Sequence, residues 1–172
     1  MKRRKCQKQN VHHVVEEREV NIMKFENFVK KAVPYGVTIL TKSDGNWLFA
    51  NGIFANIPDM LGTIGRISND PETVQILNGH LYESELHGEA FLTGAVLEKP
   101  DGKNKDIIRV FTTRSGVPVR ITNDQFGMIE KKDMCVIAEF MDGNTYSKAL
   151  LVGPPAELDD FEPEAIILGM EE

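Results

Sequence analysis

Residue pairs typical of tight turns separate short apolar runs along much of this chain. Such pairs stand at Asp44-Gly45, Asn51-Gly52 and Asp142-Gly143. Asn-Gly and Asp-Gly favour two-residue hairpin loops, because the two residues of each pair readily adopt the left-handed backbone that these loops need. Hairpins join antiparallel neighbours, so we predict an α+β fold: a single domain, mainly an antiparallel sheet built from hairpins, with a few short helices.

Seven apolar runs are predicted as strands. They cover residues 36–41, 46–50, 53–57, 107–113, 117–122, 134–140 and 146–152. In the fifth run apolar side chains alternate with other residues, which indicates one buried face. Pro118 in that run predicts an edge position, because proline has no N–H to give to a neighbouring strand.

Three short helices are predicted, over residues 25–32, over residues 71–78 and from residue 123 onwards. The first shows apolar residues at helical spacing. The second begins with Asp70 as a capping acid and Pro71 at the first helical position. The third would be capped by Asn123 and Asp124. Residues 80–97 give conflicting signals, because their glutamates favour a helix while Gly88 and Gly94 oppose one.

The charge balance excludes some function classes. The chain has 20 basic and 26 acidic residues and a net charge of -6. A generic nucleic-acid binder is basic, so we expect no direct sequence-specific binding of nucleic acid. No apolar run approaches the roughly 20 residues of a membrane span. With two distant cysteines and no secretory signal, an intracellular, reducing location is expected.

Residues 1–22 differ from the rest of the chain, because they are basic and polar with no apolar periodicity. Met23 resembles a second translation start, and the codons of the residues before it can contain a purine-rich ribosome-binding site. We therefore divide the chain into a mistranslated or disordered basic leader (1–22), an α+β domain (23–153) and an acidic C-terminal segment (154–172). Without the leader the net charge becomes -9.

The acidic segment has seven carboxylates and no lysine or arginine between residues 157 and 172. It also contains Phe161 and the apolar run 165–168, so we expect it to dock rather than to stay in solvent. In one interpretation it closes the core as a last strand. In the other its acids bind a basic partner surface. The candidate partner-binding residues are Asp159, Asp160, Glu162 and Glu164.

No catalytic motif is present, so we predict neither an enzyme nor a cofactor. His87-Gly88-Glu89 is half of a zinc-deaminase signature whose cysteine pair is missing, so we expect no metal site and a solvated face instead. Cys135 is predicted to be buried and inert. The arginines Arg109, Arg114 and Arg120 could form a pocket for an anionic ligand, or belong to an ordinary surface of alternating charge.

Several stretches carry a resemblance to a known family. They read VPYGV at 33–37, WLF at 47–49, IRVF at 108–111, FGMIEKKD at 126–133, KALLVG at 148–153 and DDFEPEAIILG at 159–169. Together, over residues 24–172, they resemble small uncharacterised proteins encoded by phages and prophages of gut Firmicutes. The resemblance implies action in the bacterial cytoplasm and brings no catalytic residues.

In size, acidity and lack of a catalytic motif the chain is also similar to acidic anti-CRISPR proteins. The similarity implies a phage counter-defence protein that binds a basic host enzyme acting on nucleic acid, first of all a type II RNA-guided nuclease. Two alternatives stay open. One is a sponge for a small nucleotide immune signal. The other is a virion structural or assembly protein whose tail segment adds to a neighbour's sheet. The sequence also leaves a homodimer open.

Overall fold

The computed structural model describes residue 28 and residues 38–42, 45–57, 66–67, 70–98 and 107–171. Over these residues the chain is mainly an antiparallel sheet with short helices, which confirms the predicted α+β class in its main feature. The leader, most of the predicted helix at 25–32 and the turn residue Asp44 lie outside the described residues. Phe28 of that helix is described, and it is helical and buried.

Ten strands form the sheet in the described part of the chain. They are β1 (Thr38–Lys42), β2 (Gly45–Ala50), β3 (Ile53–Ile57), β4 (Arg66–Ile67), β5 (Glu85–Glu98), β6 (Ile107–Thr113), β7 (Pro118–Thr122), β8 (Met134–Asp142), β9 (Thr145–Gly153) and β10 (Ala165–Leu168). Their order across the sheet is β4-β1-β2-β3-β10-β9-β8-β5-β6-β7. The described strand pairs are antiparallel except β1 with β4, which is parallel.

The turn residues form the hairpins that the sequence predicts. Between β2 and β3, Asn51 and Gly52 both have positive φ, at 49° and 70°. Between β8 and β9, Gly143 has φ 57° and Asp142 pairs with Thr145. A positive φ at these positions is what a two-residue loop between right-twisted strands requires.

Strand β5 is the long element for which the sequence gives conflicting signals. Its first residues pair with β8, and its residues from Ala90 onward pair with β6. The register shifts between Leu86 and Gly88, where Gly88 has φ 122°. Bulges bend a strand and increase its twist. Strand β5 therefore joins the β6–β7 hairpin to β8 and the rest of the sheet.

Two apolar cores lie on opposite faces of the sheet. In β8, Cys135 and Ile137 belong to the first core, while Val136 and Ala138 belong to the second. The first core also receives side chains from the β6–β7 hairpin, among them Phe111. A central strand buried on both faces has a continuous apolar sequence rather than an alternating one, and residues 134–138 have that pattern.

The second core is covered by helix α1 (Pro71–Asn78), whose Leu77 is fully buried. The predicted start is confirmed, since the Asp70 carboxylate accepts from the Thr73 backbone N–H at 3.0 Å and from its hydroxyl at 2.7 Å. A π-helical turn, Gly79–Glu83, continues α1 towards β5.

Helix α2 (Asn123–Phe126) follows β7. The predicted cap is wrong by one residue, because the N-cap is Thr122 rather than Asn123 or Asp124. The Thr122 hydroxyl accepts from the Gln125 N–H at 3.1 Å, and the Gln125 side chain accepts from the Thr122 N–H at 2.9 Å. This reciprocal capping box satisfies two backbone donors, which decides the start.

The acidic segment ends inside the sheet. Strand β10 lies between β3 and β9 and pairs with both. The last strand in the sequence therefore joins the first three strands to the rest of the sheet. Beyond β10, Gly169 donates to the Lys148 carbonyl and Met170 donates to the Arg120 carbonyl, both at 2.8 Å. The bond from Met170 places the residues after β10 against β7. Strand β7 is the last strand of the order, which is the edge position that Pro118 predicts.

Candidate functional site

The acidic segment crosses the second core before it enters β10. A 3-10 turn, Leu158–Asp160, leads to Phe161, whose ring is buried with only 9% of its surface exposed. The backbone N–H of Glu164 then donates to the Val152 carbonyl at 2.9 Å, and the backbone carbonyl of Glu164 accepts from the Asn56 N–H at 2.8 Å. The backbone under the acids is thus held at both ends, by a buried aromatic ring and by the sheet.

The four predicted partner-binding acids fall into two environments. Asp159, Asp160 and Glu162 are exposed, and none of these carboxylates has a hydrogen bond or ion pair among the described residues. Glu164 is half-buried. Its burial raises the pKa of the Glu164 carboxyl, the nearby Asp133 raises it further, and Lys132 opposes both. The structure thus groups three free charges, whereas the fourth acid is easier to protonate.

The three predicted ligand-binding arginines lie on or next to the β6–β7 hairpin without forming one pocket. Arg109 pairs in register with buried Ile121, donates to Asn123 at 3.0 Å and lies 4.8 Å from the Phe126 ring centroid. Arg120 pairs with Val110, one residue out of step, so it points to the opposite face of the strands. Arg114 is exposed in the turn.

A groove of about 480 Å³ lies where the end of β10 passes between β7 and β9. Its polar wall includes Arg120, Asn144, Tyr146, Ser147, Lys148 and Glu171. Its apolar wall includes Ile76, Val119, Leu168 and Met170. The volume falls within the range of small-molecule sites, about 300–1,000 Å³. The groove and the three free acids lie at opposite ends of β10, so they form two separate surfaces.

The Tyr146 ring at this groove is held through its hydroxyl. Tyr146 hydrogen-bonds to the Glu139 carboxylate, which also contacts His87 Nε2 at 2.7 Å. The Tyr146 hydrogen bond lowers the pKa of Glu139, His87 and Lys148 lower it further, and burial opposes them. The sequence predicts only a solvated face around His87. The structure gives His87 a carboxylate partner that no local pattern could reveal.

Beneath the groove, His80 Nε2 lies 2.8 Å from the Ser147 hydroxyl oxygen. His80 is 2% exposed, and burial lowers its pKa to about 4. Its Nδ1 has no hydrogen-bond partner in the described structure. In a catalytic Ser–His pair the imidazole activates the serine as a nucleophile. The imidazole must then be basic and oriented by a third group. This imidazole is a weak base and lacks that group, so we interpret the pair as a buried structural contact.

The structure also places the predicted buried cysteine. Cys135 is buried in the first core, and burial, with repulsion from Asp133 and Glu89, raises its pKa to about 12. The thiol therefore carries almost no thiolate at neutral pH. Within the described ranges, no group of three His, Cys, Asp or Glu side chains is arranged to hold a metal ion. The described helices include none that is long and apolar enough to cross a membrane.

Comparisons with protein-family models, with curated proteins and with solved structures found no match to this chain. The resemblance to phage and prophage proteins remains a prediction from the sequence. The site must therefore be interpreted from its own geometry.

Proposed function

We propose that this is a phage or prophage counter-defence protein that binds and inhibits a basic host enzyme acting on nucleic acid. The leading candidate for the target is a type II RNA-guided nuclease. The protein acts by occupying a surface and has no catalytic role of its own. The origin rests on the sequence resemblance, and the mode of action rests on the acidic surface.

The observation that carries this proposal is the arrangement of Asp159, Asp160 and Glu162. Three unpaired charges stand on a backbone fixed by Phe161 and by β10. Acids on a fixed backbone lose little conformational freedom when a partner binds. Less of the binding free energy is therefore lost to conformational ordering. A Lys- or Arg-lined groove that normally holds phosphates is the complementary surface.

The virion alternative needs the tail segment to add to a neighbour's sheet. Strand β10 already pairs with β3 on one side and β9 on the other. Addition to a neighbour would require both pairings to break. The small-anion alternative is favoured by one observation, the position of Arg120 in the groove, which is a surface separate from the acids.

The test is DNA cleavage by a panel of guide-loaded type II nucleases from Firmicutes, with the protein added at increasing concentration. We expect inhibition that weakens as salt rises from about 0.05 to 0.3 M, because exposed charges are screened. The variant D159N/D160N/E162Q should raise the inhibitory concentration about tenfold or more. Absence of both binding and inhibition across the panel would overturn the proposal.

A matched control separates this segment from the overall charge. The variant E83Q/E85Q/E89Q also removes three exposed acids, but from the region around the start of β5. It should change the inhibitory concentration by less than about threefold. Equal weakening by both variants would mean that the net charge acts, and that residues 159–162 are not the contact surface.

A further inference from the structure

We propose that the groove between β7, β9 and the end of β10 binds a nucleoside monophosphate, with the phosphate held by Arg120 and Lys148 and the base on Tyr146. This site is independent of the acidic surface. It replaces the predicted arginine trio with one arginine and two residues of β9.

The two cations come together through the sheet, from sequence positions far apart. Arg120 lies on β7 and Lys148 on β9, and the bond from Met170 to the Arg120 carbonyl holds β7 beside the end of β10. Among the described residues neither cation has an acid within ion-pair distance. Both residues line the groove, and a guanidinium and an ammonium that form no ion pair there favour a phosphate dianion as ligand.

Glu171 is the acid among the groove residues. It is exposed, and no ion pair joins it to either cation in the described structure. It stands near the chain end, where it faces water. It should oppose an anion in the groove weakly, so its neutralisation provides a test with the opposite sign.

Tyr146 supplies a planar surface of fixed orientation. The side chain is 55% exposed although its hydroxyl is bonded to Glu139, and Glu139 is held in turn by His87. A ring tethered by its hydroxyl is already oriented before a ligand arrives. Stacking of a base on such a ring should tighten binding about tenfold or more. Asn144 can add hydrogen bonds to the ligand, and the apolar wall can cover the sugar.

The experiment is an NMR titration of the full chain with AMP, GMP, CMP and UMP, and with ribose 5-phosphate and inorganic phosphate, at about 0.1 M salt. We expect saturable shifts at groove residues with at least one of the four nucleotides. That nucleotide should bind at least tenfold more tightly than ribose 5-phosphate. No saturable binding by any of the four, or equally tight binding of inorganic phosphate, would overturn the assignment.

Variants test each part of the site against a matched control. Arg120→Gln and Lys148→Gln should each raise the Kd about tenfold or more, whereas Arg114→Gln, in the exposed turn of the same hairpin, should leave it unchanged. Tyr146→Leu should remove the preference for the nucleotide over ribose 5-phosphate, while Tyr82→Leu should keep it. Glu171→Gln should lower the Kd severalfold. Equal effects of Arg114→Gln and Arg120→Gln would mean non-specific attraction and would refute the site.

Discussion

At the scale of single residues, the described structure buries two polar atoms that lack a hydrogen-bond partner, Trp47 Nε1 and His80 Nδ1. A buried polar group without a partner costs about 1–3 kcal/mol. Trp47 belongs to the second core, and the His80 ring lies edge-on to the Phe140 ring. Because Trp47 is the single tryptophan of the chain and is buried, its fluorescence reports directly on this core.

His80 should make stability depend on pH. Burial lowers the pKa of His80 from 6.5 to about 4. As the pH falls, His80 is therefore protonated in the unfolded state before it is protonated in the folded state. The free energy of unfolding should therefore be unaffected by His80 above pH 6.5 and should decrease by roughly 3 kcal/mol between pH 6.5 and 4. Urea unfolding followed by Trp47 emission measures this decrease at each pH.

The control for this prediction is His80→Gln, which keeps a hydrogen-bonding group for Ser147 but does not titrate. The variant should lose most of the extra pH dependence, whatever its stability at pH 7. If wild type and variant show the same slope between pH 6.5 and 4, other groups account for the acid sensitivity.

At the scale of elements, the sequence predicts what local patterns control. The helix start at Asp70 and the turns at Asn51-Gly52 and at residues 142–144 depend on neighbouring residues alone, and these predictions are confirmed. The predicted cap of α2 is one residue late, because Gln125 reaches back to Thr122. The sequence of β5 is ambiguous, because its first residues pair with β8, which is distant in sequence, while its later residues pair with the next strand, β6.

The π-helical turn between α1 and β5 depends on a close approach at Gly79. A Cβ added to Gly79 would overlap the Phe140 ring. Gly79→Ala should therefore lower the free energy of unfolding by about 1–3 kcal/mol, because the overlap outweighs alanine's higher helix propensity. Chemical denaturation measures the difference.

Two companion variants sharpen this test. Gly94→Ala in β5 meets no atom within 4 Å, so its effect should stay within about 0.5 kcal/mol. In a Phe140→Leu background the cost of Gly79→Ala should shrink, since the overlapping ring is gone. An unchanged cost in that background would place the strain elsewhere.

At the scale of the whole molecule, the fold is completed by its last strand. Ile166 pairs with Phe54 and Leu151, which ties together strands about a hundred residues apart in sequence. Contacts of such long separation cost loop-closure entropy and slow folding. They also mean that β3 and β9 are open edges until β10 arrives, and open edges favour aggregation.

Truncation after Gly153 should therefore abolish cooperative folding, because it removes β10 and Phe161 from the two cores. We expect an aggregated product with Trp47 emission at the wavelength of exposed tryptophan. Co-expression with a peptide of residues 154–171 should restore a soluble complex with buried Trp47. A truncated chain that unfolds cooperatively by itself would show that β10 is dispensable.

The sequence by itself determined the turns, most strands, the start of α1 and the acidic character of the C-terminal segment, because propensity, capping and charge act over a few residues. Only the tertiary structure decided that β10 lies in the middle of the sheet, that Arg109 and Arg120 face opposite ways, and that Arg120, Lys148 and Tyr146 share a groove. Those arrangements depend on strand order and register, which are set by the burial of two cores at once. No local pattern carries that information.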